Sequence, residues 1–200
     1  METIDITLPD GSKKSLPKGS NGLDLAKSIG PGLAKDAVAV VVNNEQRDLS
    51  DKLSNNAEVS IITIKSNEGL EIMRHTLAAQ VLASAIKNLY PDAKLAIGPT
   101  IEDGFYYDFL PTKPISIDDL PNIEKEMKSI IGQSTQITKT YHSKNDAIAM
   151  FDNLDEGFKA EIINDSNQAD NFQIYAQDNS GFIDLCRGPH FAKSWLHRGI

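Results

Sequence analysis

Thr3-Ile4-Asp5-Ile6-Thr7-Leu8-Pro9-Asp10-Gly11-Ser12 alternates apolar and polar side chains over six residues and then breaks into a turn. That period of two is the signature of a half-buried strand, and Asp10-Gly11 supplies the positive-φ position a tight hairpin needs. A second strand follows around Lys13–Leu16, then Gly19-Ser20-Asn21-Gly22 and a short helix near Leu23–Ile29 that Gly30-Pro31-Gly32 stops. Ala37–Val42 is a β-branched run fit for a buried strand, closed by Asn43-Asn44, and Val59–Ile64 is the last strand of the segment. Two strands, a helix and further strands within some sixty residues make a β-grasp pattern. No His or Cys lies in it, so it reads as a binding or docking module.

Lys65-Ser66-Asn67-Glu68-Gly69 is polar and marks a boundary, giving domains over 1–64 and 65–200. From Leu70 the apolar period turns helical (Ile72, Met73, Leu77, Val81, Leu82, Ala85, Ile86, Leu89), and this helix ends near Tyr90-Pro91. Lys94–Ile97 and Gly104–Phe109 read as strands around a Gly98-Pro99 turn, and Leu110–Leu120 as a proline-bearing loop. Asn122–Ile131 has helical spacing, Gln136–Tyr141 is a strand, and Ser143 caps a helix over Asn145–Phe151. Phe172–Ala176 and Gly181–Leu185 suggest a hairpin leading into Cys186-Arg187-Gly188-Pro189-His190. The class is α+β.

The 28 acidic against 20 basic residues give a net charge of −8, spread over both segments. A free-standing nucleic-acid binder would show a basic footprint, because affinity for a polyanion comes from neutralised phosphates. Any RNA contact must therefore be local, or be supplied mostly by other parts of a longer protein. No run of about 20 apolar residues exists to span a bilayer, and the start has neither the basic end nor the apolar core of a signal peptide. The single cysteine excludes an internal disulfide and suits a reducing compartment. A cytoplasmic protein is expected.

Cys186 and His190 form a Cys-x-x-x-His pair on a Gly-Pro turn, where a thiol and an imidazole can converge as ligands or as a polar site around a water. By itself that spacing is equally compatible with an incidental pair. His75 on its amphipathic helix, Asp184 and the Phe105-Tyr106-Tyr107 strand are each ordinary structural residues when taken singly. Nothing around His142 or His197 argues for chemistry.

The order of blocks is more specific. A His-bearing helix, Ile97-Gly98-Pro99 followed by Gly104-Phe105-Tyr106-Tyr107-Asp108, and then Asp184-Leu185-Cys186-Arg187-Gly188-Pro189-His190 resemble the editing domain of threonyl-tRNA synthetases. The Ile6–Ser12 and Ala26–Val42 stretches resemble the TGS module that precedes it there. The resemblance covers essentially the whole chain. It implies a β-grasp (ubiquitin-like) TGS domain followed by an α+β editing domain of the threonyl/alanyl-tRNA synthetase second-additional-domain type. It also implies hydrolysis of seryl-tRNA with threonyl-tRNA spared. Serine is threonine minus a methyl group, and a synthetic pocket rejects such a substrate only roughly 10–200-fold, so a second, hydrolytic site raises fidelity.

By the same resemblance, His75, Cys186 and His190 are catalytic candidates, and Asp184 holds the substrate amino group. Lys159 (in Phe158-Lys159-Ala160) and Tyr107 match further substrate-contacting positions. The residues leave Cys186 open as nucleophile, ligand or wall; water attack without a covalent intermediate is favoured, and no metal is expected here. The implied partners are the tRNA(Thr) acceptor end and the remainder of a synthetase, with no membrane. This piece is expected to be monomeric and the full-length family protein a homodimer. ATP and zinc belong only to the family's catalytic domain, whose motifs do not occur in this sequence. Trp195–Ile200 ends where the family's editing domain continues, which suggests a shortened chain or gene fragment.

One departure bears on activity. The family writes its helix as His-x-x-x-His, whereas position i+4 from His75 is Ala79. Alignment backwards from Pro91 instead puts Thr76 and Gln80 on the two histidine positions. At ~100° per residue, His75 and Thr76 point in different directions, and a π-type insertion would reconcile the registers. Gln80 could orient a water as a substrate-binding group but exchanges no proton near neutrality. Two expectations follow: a working site rearranged around His75, Cys186 and His190, or a degenerate domain that has lost part of its proofreading power, the balance leaning to reduced activity. The alternative to both is a non-catalytic tRNA-docking or regulatory piece with lost proofreading.

Overall fold

The computed structural model describes residues 2–178 and 180–193. His197 and the Trp195–Ile200 stretch lie outside the described residues. The chain divides into two compact units: the part up to Met73 together with Gly188–Ala192, and Arg74–Arg187 together with Lys193.

In the first unit, β1 (Thr3–Thr7) and β2 (Lys13–Pro17) form the hairpin that Asp10-Gly11 turns, with Ile4 opposite Leu16. Helix α1 (Gly22–Ile29) follows. Its amino end is closed by a reciprocal capping box: Asp24 N–H donates to Asn21 Oδ1 at 3.0 Å, and Asn21 N–H donates to Asp24 Oδ2 at 3.1 Å. Gly30 ends α1 as expected, but Pro31 does not open a loop. It occupies the first turn of a second short helix, α2 (Pro31–Asp36), where its missing N–H would have had no partner anyway. Strands β3 (Ala37–Val42), β4 (Glu45–Asp48) and β5 (Ala57–Thr63) complete a five-stranded sheet of order β2-β1-β5-β3-β4, with β1 and β5 parallel. Strand β4 was not legible because Glu45-Gln46-Arg47-Asp48 carries no apolar alternation; antiparallel pairing with β3 makes it an edge strand. Ile6, Leu25 and Val40 are fully buried between helix and sheet. At Gly22 an added Cβ would fall 2.4 Å from Val40 Cγ1, so the glycine permits this close helix–sheet contact.

The helix expected from Leu70 to Tyr90 begins earlier and is not uniform. It runs as α3 (Asn67–Thr76), a π-helix (Leu77–Leu82) and α4 (Ala83–Leu89). The apolar spacing gave its existence; the wide middle turn came only from the register conflict around His75. In the second unit, β6 (Lys94–Leu95) pairs with β9 (Phe109–Leu110), and β7 (Thr100–Ile101) with β8 (Gly104–Phe105). The strand expected over Gly104–Phe109 is therefore two short strands. The proline-bearing segment holds a 3-10 turn (Ile117–Asp119) before α5 (Leu120–Gln133).

Strand β10 (Ile137–His142) precedes α6 (Lys144–Asn153), which Ser143 caps by accepting from Asp146 N–H. Helix α7 (Gly157–Asp165) was missed in sequence. Strands β11 (Phe172–Gln177) and β12 (Ile183–Leu185) then join β10 in an antiparallel sheet of order β10-β11-β12. One core gathers Ala78, Ala83 and Ile86 against Leu95, Tyr107 and Phe182; another packs Phe151 and Ile163 on Phe172 and Ile174. Among the described residues no helix is long and apolar enough to cross a membrane.

Candidate active site

Buried Glu156 fixes three elements of the second unit at once. Leu95 N–H donates to its Oε2 at 2.9 Å, and Lys87 Nζ lies 2.7 Å from its Oε1. Helix α7 begins at the next residue, so this anchor sets the position of Lys159 on its first turn. Lys159 is 2% exposed and Asp184, in the middle of β12, is 1% exposed. Two charges so far from water require each other. Lys159 Nζ lies 2.6 Å from Asp184 Oδ1 and donates to Tyr107 Oη at 3.1 Å, while Tyr107 Oη donates to Asp184 Oδ2 at 3.1 Å. The three side chains form a closed hydrogen-bonded ring with cancelling formal charges. Burial pushes the Asp184 carboxyl above its ordinary value, against the downward pull of the Lys159 ammonium and its hydrogen bonds. Burial, then the charge of Asp184, also drives the Tyr107 phenol far upward, so it is a donor throughout the working range.

Gly98 makes room for this ring. A Cβ there would stand 2.2 Å from Tyr107 Cδ2, inside any allowed contact. The Ile-Gly-Pro and Gly-Phe-Tyr-Tyr blocks quoted from the sequence are thus one packing unit: Asp108 N–H donates to Ile97 O at 2.7 Å and Ala96 N–H to Asp108 O at 2.9 Å.

His75, at the carboxyl end of α3, and Cys186, just past β12, meet with Nε2 and Sγ 2.9 Å apart, within hydrogen-bonding distance for sulfur. Cys186 is a half-buried thiol held by its own N–H donating to Gln173 O at 3.2 Å. This pair and the Lys159–Asp184–Tyr107 ring line one half-open cavity of about 340 Å³, whose apolar walls include Ile97, Ile162 and Phe172. The site combines a thiol–imidazole contact, a buried cation and carboxylate, and an apolar wall. An imidazole beside a cavity can take and return a proton, and fixed N–H and O–H donors can hold a developing oxyanion.

Across the π-helix, His75 and Ala79 both line the cavity. Gln80 points elsewhere: it is fully buried, with its Oε1 3.4 Å from Gln177 Nε2 and its carbonyl accepting from the same nitrogen at 2.7 Å. The geometry therefore brings together His75, Cys186, Lys159, Asp184 and Tyr107, and leaves Gln80 outside the cavity lining. His190 belongs with the first unit, where its N–H donates to Asp48 Oδ1 at 2.8 Å and its side chain is buried. His142 ends β10 and lies 2.8 Å from Thr140 Oγ1. Sequence reading missed Gln173 and Arg187 as cavity-lining groups. Arg187 adjoins Cys186 in the quoted block and could have been named; Gln173 sits in a strand whose neighbours are apolar and gave no signal.

These features define the class. Residues 4–63 match the TGS domain family, and the second unit carries a cavity lined by the His75–Cys186 contact and the Lys159–Asp184–Tyr107 ring. The chain is 45% identical to a threonine–tRNA ligase of Citrifermentans bemidjiense over 97% of its own length and 30% of the relative's. It is 45% identical to that of Francisella tularensis subsp. holarctica over 94% of its length and 29% of the relative's, and 44% identical to that of Oceanobacillus iheyensis over 95% and 29%. The chain spans about 30% of the length of the curated relatives it matches. It is related to the amino-terminal part of bacterial threonine–tRNA ligases and carries a TGS domain.

Proposed function

We propose that the second unit is an esterase site serving a threonine–tRNA ligase, clearing serine wrongly attached to tRNA(Thr). The observation that carries this reading is the single cavity lined by both the His75–Cys186 pair and the buried Lys159–Asp184–Tyr107 ring. Water attacks the ester carbonyl carbon and gives up a proton to His75. The tetrahedral oxyanion is met by fixed donors, and the C–O bond to the ribose then breaks, the ribose oxygen taking the proton back. Serine and deacylated tRNA leave. Asp184 offers its carboxylate to the amino group of the amino acid, and the apolar wall senses the methyl group that separates threonine from serine. Cys186 orients the imidazole without forming a bond to the substrate.

Ala79 favours a second reading, in which the unit binds an acceptor end but hydrolyses it weakly. A methyl group faces the cavity at the position where the family resemblance calls for a second imidazole, so one proton-carrying group is absent from that wall. Incubating the chain with seryl-tRNA(Thr) and threonyl-tRNA(Thr) separates the two. Selective loss of the serine ester that requires His75 supports hydrolysis, whereas binding of the acceptor end with ester loss at the buffer rate establishes docking.

A further inference from the structure

The extra residue in the helix has a partner that nothing in the proposed chemistry requires. Just past the π-helix Leu77–Leu82, Ala83 N–H donates both to Ala78 O, five residues back as in a turn wider than α, and to Gln80 O, three residues back. Such a turn departs from the regular ladder, and a buried carbonyl in it has room for a second donor beside its shared helical one. Gln80 O receives one from Gln177 Nε2 at 2.7 Å, in surroundings where Gln80 is fully buried and Gln177 is 4% exposed. Gln177 closes the carboxyl end of β11, and its own N–H donates to Phe182 O across the hairpin that continues into Asp184 and Cys186. One amide side chain thus ties the hairpin carrying Cys186 to the helical turn that lies between His75 and the core face of α4.

We propose that Gln177 is a positioning residue for the candidate site: its side-chain amide holds the carbonyl of Gln80 and so fixes the wide turn that aims His75 and Ala79 into the cavity. A regular α-turn would rotate the preceding residues by about 100° relative to α4 for each residue absorbed, carrying His75 away from Cys186 Sγ. Gln177 sits outside the cavity lining, so its effect on chemistry passes through the His75–Cys186 contact. The activity consequence rests on the hydrolase reading; the positioning itself does not.

The test uses Cys186, the only cysteine of the chain, as its own reporter. The rate of Cys186 alkylation by iodoacetamide is measured in the parent chain and with Gln177→Met, each with and without His75→Ala, alongside thermal midpoints. In the parent, removing the imbidazole that touches the thiol changes the alkylation rate several-fold. With Gln177→Met, which keeps the side-chain length and removes the donor, His75→Ala no longer changes it. Gln177→Asn, one methylene too short to reach Gln80 O, behaves the same way and serves if the Met variant fails to fold. Deleting Gln80 abolishes the effect of either change at residue 177. A Gln177 variant that lowers the thermal midpoint yet leaves the His75 dependence of alkylation intact overturns the proposal. On seryl-tRNA(Thr), Gln177→Met is expected to lower kcat about tenfold with KM unchanged. If the parent cleaves no ester at all, the hydrolase reading fails while the alkylation result still decides the role of Gln177.

Discussion

His75 Nε2 stands 2.9 Å from Cys186 Sγ across 111 residues of sequence. The contact depends on a helix and a hairpin placed independently, and neither residue reaches the other through local structure. Replacing His75 by Ala removes the proposed proton carrier and is expected to slow seryl-tRNA(Thr) hydrolysis by about 10²–10⁴-fold. Cys186→Ser, which keeps a hydrogen-bonding group, should cost far less. Rapid quench with labelled seryl-tRNA checks both; trapping a thioester on Cys186 would refute water attack.

Lys159→Met leaves Asp184 buried without its cation. Removing one partner of a buried pair typically costs about 3–5 kcal/mol, and urea unfolding should show a loss of that order. The pH dependence carries a definite sign. Asp184 already sits above its ordinary value of 3.8 because of burial, with Lys159 pulling it down. The fold therefore holds the proton more tightly than the unfolded chain, so this contribution to stability is present below the ordinary value and is lost as pH rises through the folded one. Without Lys159 the folded value climbs further and the loss extends to higher pH. The variant should lose more stability than the parent as pH rises above 3.8; equal pH dependence in both would show that Lys159 does not govern this carboxyl.

Gly98→Ala places a methyl 2.2 Å from the Tyr107 ring, which must move. Overpacking of this kind costs about 1–3 kcal/mol. Because Tyr107 Oη donates to Asp184, the expected kinetic result is a raised KM for seryl-tRNA in addition to the drop in thermal midpoint. An unchanged KM would mean that the ring plays no part in binding.

Ala79→His adds an imidazole to a cavity wall that now presents a methyl. Under the hydrolase reading the serine ester is cleaved at least about tenfold faster, as expected of an added acid–base group. No gain in a folded variant would favour the docking reading.

In the first unit, Asn21→Ala removes the reciprocal cap of α1 and should cost about 1 kcal/mol. Chemical denaturation of Asn21→Ala beside Asn21→Gly, which is expected to lose only a few tenths, isolates the cap from other effects.

The elements that sequence reading placed well are those whose side chains declare one face: the Thr3–Thr7 strand, the Ala37–Val42 run and the Ser143-capped helix. Strand β4 and helix α7 declare none, since Glu45–Asp48 is held by backbone pairing and Gly157–Asp165 is anchored through buried Glu156 at its start. The site was legible to the extent that its groups fall in short blocks. His75, Tyr107, Lys159, Asp184 and Cys186 were all named from such blocks. Sequence could not show that Lys159, Asp184 and Tyr107 form one ring, because three separate elements converge there. Nor could it choose between Ala79 and Gln80 on the cavity wall, since that depends on how a single turn of helix is wound.

The wound-out turn at Leu77–Leu82 has a bearing on how such a helix changes over generations. In an ordinary amphipathic helix one added residue turns everything beyond it by about 100°, out of phase with the buried face. Here the surplus is taken up inside one turn. Ala83, Ala85 and Ile86 keep their phase in the core while His75 keeps its own toward the cavity. The two halves of the helix thereby keep separate phases. A substitution on the cavity wall thus acts on a stretch whose phase is set apart from that of the core behind it.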